Sequence, residues 1–251
     1  MSTPGPLAAP KPLAAQADAN FARHIAANPY PGRGIVAGRD GAGGWVLVYW
    51  IMGRSTNSRN RRFVADGGTL RTEPVDLSKV ADPSLIIYEA MLELPRVQIV
   101  SNGDQTRTVH GALAEGRTFE DALATREREP DAPNYTPRIT ALLDLRAGAV
   151  PLRLSILRAG ACDPAATDRA YFHVAPPAPG LGWCLTTYAG DGDPLPPFRG
   201  DPLLVPCRGT PQEILDAYWN ALDDANRISL AVKSVDDGGA TRALLVRNRH
   251  A

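Results

Sequence analysis

Only three of the 27 basic residues are lysines (Lys11, Lys79 and Lys233), and Lys plus Arg equals Asp plus Glu. No excess charge of one sign exists to draw in nucleic acid or an acidic membrane, so any anion must be held by local clustering. Arginine is the better fork for that purpose. The three cysteines (Cys162, Cys184 and Cys207) include no CxxC pair, and the odd count argues against a disulfide framework. Four scattered histidines (His24, His110, His173 and His250) form no HxxxH pair, so no metal site is expected and no cofactor is assigned. Gly190-Asp191-Gly192-Asp193 lacks the spacing of a calcium loop. There is no GxSxG elbow, Walker loop or GxGxxG turn. No stretch approaches the about 18 apolar residues of a membrane span, and the Ala/Pro-rich start lacks the apolar core of a signal peptide. The expected location is cytoplasmic, with neither membrane nor nucleic acid as partner; self-association into a homo-oligomer is left open.

At 44% hydrophobic and 22% charged, the composition is that of a globular protein. Residues 1–27 are expected to be a flexible Ala/Pro-rich tail with a short helix around Ala15 to Ala27, and residues 28–251 a single domain. Two apolar runs, Gly34–Arg39 and Trp45–Met52, flank a Gly-rich turn and predict a hairpin covered on both faces. Further strands are expected at Phe63–Asp66, Leu70–Val75, Arg96–Val100, Ile139–Leu145, Leu152–Leu157, Tyr171–Val174 and Cys184–Tyr188, with a closing hairpin of Ile228–Val235 and Arg242–Arg247. Thr118 and Thr210 are N-caps with an acid at the third helical position, the first helix running to about Glu129. Leu85–Leu92, around Tyr88, is compatible with helix. Clustered strands and few helices give an α+β class with antiparallel sheets and helices outside.

The densest polar feature is Gly53–Arg62, with Arg54, Asn57, Arg59, Asn60, Arg61 and Arg62 following a buried-looking strand. Taken alone such a loop is a solvated hairpin end. Its Asn and Ser content, and the charge-assisted forks of its arginines, also suit a phosphate or a carboxamide. Ser101-Asn102-Gly103 reads as a turn, and Asn134-Tyr135-Thr136-Pro137-Arg138 as an ordered loop with an amide, a hydroxyl and a guanidinium. Tyr88 reads as a core tyrosine and Glu129 as a surface ion-pair partner on residue physics alone.

In combination these segments resemble the archaeal-type IMP cyclohydrolases. The resemblance is carried by Gly32-Arg33 with Gly38-Arg39, Arg54-Ser55 with Arg59, Asp82-Pro83 leading to Tyr88, Ser101-Asn102-Gly103, and Glu129 leading to Thr136-Pro137-Arg138-Ile139, in order across about residues 28–139. It implies an N-terminal-nucleophile-hydrolase-like fold, a four-layer αββα sandwich of antiparallel sheets. It also implies closure of 5-formamidoimidazole-4-carboxamide ribonucleotide to IMP with loss of water, a hydrolase-class step of purine biosynthesis on a phosphate-bearing nucleotide. Tyr88, Glu129 and Arg59 match the positions of the chemistry, either Tyr88 or Glu129 serving as acid and the other as base. Arg33, Arg54, Ser101, Asn102 and Gly103 match the nucleotide site. Asn57, Asn60, Asn134, Thr136 and Arg138 join them as substrate-binding candidates. Archaeal members begin close to the first strand, whereas about thirty residues precede it here, and they carry a cysteine two residues after the tyrosine where this chain has Ala90. No Cys, Ser or Thr near Gly32 offers an N-terminal nucleophile, so that mechanism is set aside. The alternatives are ring closure or opening on a related purine-like nucleotide, or a non-catalytic nucleotide-binding module.

Overall fold

The computed structural model describes residues 10–80 and 87–250. The structure is α+β with two antiparallel sheets. The first comprises β1 (Gly34–Arg39), β2 (Trp45–Met52), β10 (Leu181–Thr186), β11 (Leu203–Pro206), β12 (Arg227–Val235) and β13 (Thr241–Asn248), in the order β11-β10-β1-β2-β12-β13. The second runs in chain order through β3 (Arg62–Asp66), β4 (Thr69–Glu73), β5 (Glu89–Leu94), β6 (Val97–Ser101), β7 (Arg138–Asp144), β8 (Leu152–Ala159) and β9 (Thr167–Val174).

Side-chain alternation explains the stacking. On β2, Trp45, Leu47, Tyr49 and Ile51 face the second sheet and meet Phe63, Leu70, Val100, Ile139, Ala141 and Leu154. Val46, Val48, Trp50 and Met52 point the other way, toward Ile214, Leu215 and Tyr218 of helix α5 (Pro211–Ala221). The outer face of the second sheet buries Val97, Ile99 and Leu142 under α3 (Gln105–Ala114) and α4 (Phe119–Ala124). Both faces of β2 are therefore dry, as its unbroken apolar run predicts. The expected capping boxes hold at Thr118 and Thr210.

Gly34 makes room for Trp50, its cross-strand partner. A Cβ at Gly34 would lie 1.9 Å from the Trp50 ring, which is fully buried. We expect Gly34→Ala to lower stability by about 3 kcal/mol, since overpacking a filled core forces rings off their rotamers. A urea midpoint unmoved by the substitution would contradict this packing.

Several expectations are corrected. Lys11–Phe21 forms helix α1 and Ala22–Ala26 continues it, so the helix starts well before Ala15. Ala17 and Ile25 are fully buried, and Asn20 Nδ2 donates to Leu204 O at 2.9 Å, which docks this part of the expected tail on β11. The segment around Tyr88 is strand, not helix: β5 is hydrogen-bonded to both β4 and β6, and neighbouring strands decide a short apolar run that is ambiguous by itself. Leu85, Ile86 and the Asp82-Pro83 pair lie outside the described residues. Helix α4 stops at Ala124 rather than near Glu129: Thr125 Oγ1 donates to Ala122 O at 2.7 Å and Arg126 N to Leu123 O at 3.0 Å, so the last carbonyls are taken by a tight turn. Helix α3 and strand β11 were not expected.

The two sheets are joined at both ends. At one, Lys233 is fully buried and donates to Gly68 O (2.6 Å) and to Glu93 Oε2 (2.9 Å) across the sheets. At the rim, the Asn248 amide donates to Phe63 O (3.0 Å) and accepts from Phe63 N (2.9 Å), linking β13 to β3. Among the described residues, no helix is long and apolar enough to cross a membrane.

Candidate functional site

The end of the sandwich away from Lys233 is where polar side chains converge. Arg33 immediately precedes β1, Arg61 precedes β3, Tyr88 precedes β5 and Thr136 lies just before β7. The first sheet adds the end of β2 and the residues after β10. Strand ends from both sheets thus surround one cavity of about 270 Å³, close to the lower end of small-molecule clefts (about 300–1,000 Å³). Its walls carry Arg33, Arg54 and Arg61 against Glu129 and Asp131, a surplus of positive charge, together with Tyr30, Asn57, Asn134, Thr136 and Tyr188.

Glu129 is only 3% exposed, and its carboxylate meets Arg33 Nη2 at 3.7 Å. Burial pushes its carboxyl above the usual range, against the pull of Arg33 and Arg138. The backbone fixes it: Glu129 N donates to Thr136 O at 3.0 Å, while Thr136 N donates to Asp131 Oδ1 at 2.6 Å. Thr136 Oγ1 also pairs with the Tyr188 hydroxyl at 2.6 Å. Burial opposes the charge of Arg33, but Glu129 and the phenols of Tyr188, Tyr88 and Tyr49 outweigh it, and its pKa is raised further. Arg33 Nε is buried without a partner, and so is Asn57 Oδ1.

Tyr88 adjoins the wall residues Arg61, Arg33 and Glu129, 5% exposed, with its hydroxyl 2.7 Å from that of Tyr49. Burial raises its pKa, partly offset by Arg61 and Arg33. For Tyr49, burial and then the neighbouring Tyr88 push the phenol well above its ordinary value. Both therefore hold their protons at neutral pH. Ala90, fully buried, shares with Tyr88 the core between the sheets.

The remaining candidates divide. Arg54, Asn57, Asn134 and Thr136 line the cavity. Arg59 does not: it is exposed, and donates to Gly53 O (3.0 Å) and Asn226 Oδ1 (3.3 Å). Asn60 turns away to bridge the backbone of Asp76, donating to its carbonyl at 2.7 Å and accepting from its N–H at 2.8 Å. Ser101, Asn102 and Gly103 are buried and tie the end of β6 to the start of β7, through Asn102 Nδ2 to Pro137 O (2.9 Å) and Ile139 N to Asn102 Oδ1 (2.7 Å). Arg138 is held by Asp104 and Gln105, both at 2.7 Å. These four support the cavity from behind and are absent from its walls.

Arg61 is the cation that sequence reasoning passed over. It is 2% exposed, with Nε donating to Ser58 O at 2.9 Å. Burial and then Arg33 lower its pKa. The usable signal was the period of two: Phe63 faces the core, so Arg61 points inward on the same side, whereas Arg59 lies on the one-turn helix α2 (Thr56–Arg59). Arg61→Gln is expected to weaken turnover by at least tenfold more than Arg59→Gln, in parallel steady-state assays. Equal losses would return the chemistry to Arg59. Asp131, Tyr30 and Tyr188 were likewise unforeseen.

Among the described residues, no group of three or more His, Cys, Asp or Glu could hold a metal ion. The family model described as IMP cyclohydrolase-like protein matches residues 30–239. An IMP cyclohydrolase of Methanococcus maripaludis is 30% identical over 118 residues, covering 45% of this chain and 58% of the relative. One of Methanothrix thermoacetophila is 34% identical over 95 residues (38% and 46%), and one of Methanocaldococcus jannaschii is 28% identical over 116 residues (46% and 57%). The chain thus spans about half the length of the curated relatives it matches.

Proposed function

The chain belongs to the IMP cyclohydrolase-like protein family, and from that premise we propose that it closes 5-formamidoimidazole-4-carboxamide ribonucleotide to IMP with release of water. The observation that carries the reading is Glu129: a buried carboxylate with a raised pKa, beside Arg33 at the cavity. Such a group is a base tuned toward neutral pH.

Ring closure joins the carboxamide nitrogen to the formyl carbon. In the proposed course, Glu129 takes a proton from that nitrogen as the C–N bond forms. The formyl oxygen gains the electron pair and is protonated by Tyr88. The hydroxyl then leaves as water with the proton that Glu129 took, while the nitrogen that bore the formyl group gives its hydrogen back to the Tyr88 oxygen and the C=N bond forms, which restores both groups. Burial keeps the Tyr88 phenol protonated, with Arg61 and Arg33 offsetting part of the rise in its pKa, and the raised pKa of the Glu129 carboxyl makes it the stronger base, so Tyr88 is the donor and Glu129 the base. Arg33 and Arg61 stand where negative charge develops on the oxygen, the kind of fixed electrostatic support that usually contributes most. Holding both reacting groups of one substrate together supplies a further part. Arg54, Asn57 and the neighbouring serines form the arm that takes the 5′-phosphate. This chemistry needs no thiol, consistent with alanine at position 90.

The helix–sheet–sheet–helix packing supports an N-terminal-nucleophile-hydrolase-like αββα sandwich, and strand ends of both sheets meeting at one cavity support residues 28–251 acting as one domain. The test is the ultraviolet absorbance change as purified protein meets the formylated ribonucleotide. Appearance of IMP is the expected result. Absence of turnover beside an active control cyclohydrolase would overturn the reading.

A further inference from the structure

The Gly190-Asp191-Gly192-Asp193 segment, unused by the chemistry above, lies between the end of β10 and Leu195, a cavity-wall residue. Its base is firmly held. Ala189 N donates to Pro196 O at 2.9 Å, Asn28 Nδ2 to Ala189 O at 3.1 Å, and Leu195 N to Asn134 Oδ1 at 2.9 Å. Its tip is held from across the mouth by one side chain: Arg54 Nη1 donates to the Asp191 carboxylate and, at 3.1 Å, to Gly192 O. Arg54 itself lies over the Tyr30 ring, 5.0 Å from its centroid, which aims the guanidinium at the cavity rim.

We infer that Asp191 is a specificity-determining residue that occupies the phosphate fork of Arg54 in the empty site and is displaced by the 5′-phosphate of the substrate. The inference rests on the nucleotide reading above and deepens it. A carboxylate and a phosphate compete for the same guanidinium donors, and Asp191 holds Nη1, which the segment also engages through Gly192 O. The phosphate brings more charge, and three acceptor oxygens that the neighbouring Ser55, Asn57 and Ser58 can serve through hydroxyl and amide donors; all three line the cavity. A ligand without that charge leaves the Arg54–Asp191 pair intact, so the competition lowers affinity for nucleotides and not for nucleosides, and Asp191 thereby sets the margin by which the site favours the nucleotide. The pair is solvent-accessible, with side-chain exposures of 36% for Arg54 and 48% for Asp191, so the competitor is weak and its removal has a modest effect.

The test is calorimetric titration of wild type, Asp191→Asn and Arg54→Gln with inorganic phosphate, IMP and inosine. Asp191→Asn is expected to bind phosphate and IMP about fivefold more tightly, as expected for releasing an exposed ion pair. Inosine affinity should not move. The gain should shrink with added salt. Arg54→Gln should lose the tighter binding of IMP over inosine. Phosphate affinity unchanged or weakened in Asp191→Asn overturns the inference, even if IMP binds and is formed. Tighter phosphate binding in Asp191→Asn together with no IMP binding sustains the competition and overturns the purine reading instead. Failure of wild type and variants alike to bind phosphate or IMP overturns both.

Discussion

Glu129→Gln is expected to lower kcat by about a hundred- to ten-thousand-fold, the range for removing a positioned general base. The wild-type rate should rise with pH through a value above the ordinary glutamate range, because burial raises the Glu129 pKa. The variant should lack that limb. The same shift has a thermodynamic side. A carboxyl whose folded pKa is raised contributes stability that is full below its unfolded value, near 4.5, and is lost as pH rises through the folded value. Glutamine cannot ionise, so the unfolding free energy of the variant should vary less across that window, as urea titrations at several pH values would reveal. A variant with wild-type kcat would remove Glu129 from the chemistry.

Tyr88→Phe should cost about a hundredfold or more in kcat, with little change in KM, if its proton is used only after the substrate is in place. Its burial leaves the phenol protonated across neutral pH, so no activity should be lost on the alkaline side until well above pH 7. Tyr49→Phe removes the hydroxyl 2.7 Å behind it and should cost about tenfold at most. Each variant leaves one buried hydroxyl without its partner, a penalty of about 1–3 kcal/mol, so unfolding curves must accompany the kinetics. A Tyr49→Phe loss as large as that of Tyr88→Phe would instead make the pair a single proton-holding unit.

How far the sequence discloses this molecule depends on the range of the interaction. Caps are local, and the boxes at Thr118 and Thr210 were readable from four residues each. The β1–β2 hairpin was readable from its turn and two apolar runs. The segment after Tyr88, compatible with helix by itself, is strand because β4 and β6 pair with it on both sides, and a short apolar run carries no sign of those pairings. The pairing of β1 with β10 brings Tyr188 beside Arg33, and nothing local to either residue announces it. The family motifs point to Arg59, which lies outside the cavity, whereas the inward side of that loop is set at Arg61 by the strand that follows. Ser101, Asn102 and Gly103 were readable as a turn; their work at the strand ends behind the cavity emerges only from the contacts of Asn102 with Pro137 and Ile139.

The Asn248 amide matters beyond the joint it makes. An open sheet offers bare N–H and C=O groups at each rim, and a stray strand from another molecule can add there. By giving both backbone groups of Phe63 a partner, one side chain stands in for a missing rung and brings the β13 rim of one sheet against the β3 rim of the other. Helix α1 lies over a third rim, β11, with Asn20 on the Leu204 carbonyl. The fourth, β9, presents exposed Asp168, Arg169 and His173 along its length, charges and a polar ring that penalise a foreign strand. Two asparagine amides thus cover sheet rims that would otherwise be bare, and Asn248→Leu should raise the rate of fibril or particle formation on mild heating before it changes catalysis.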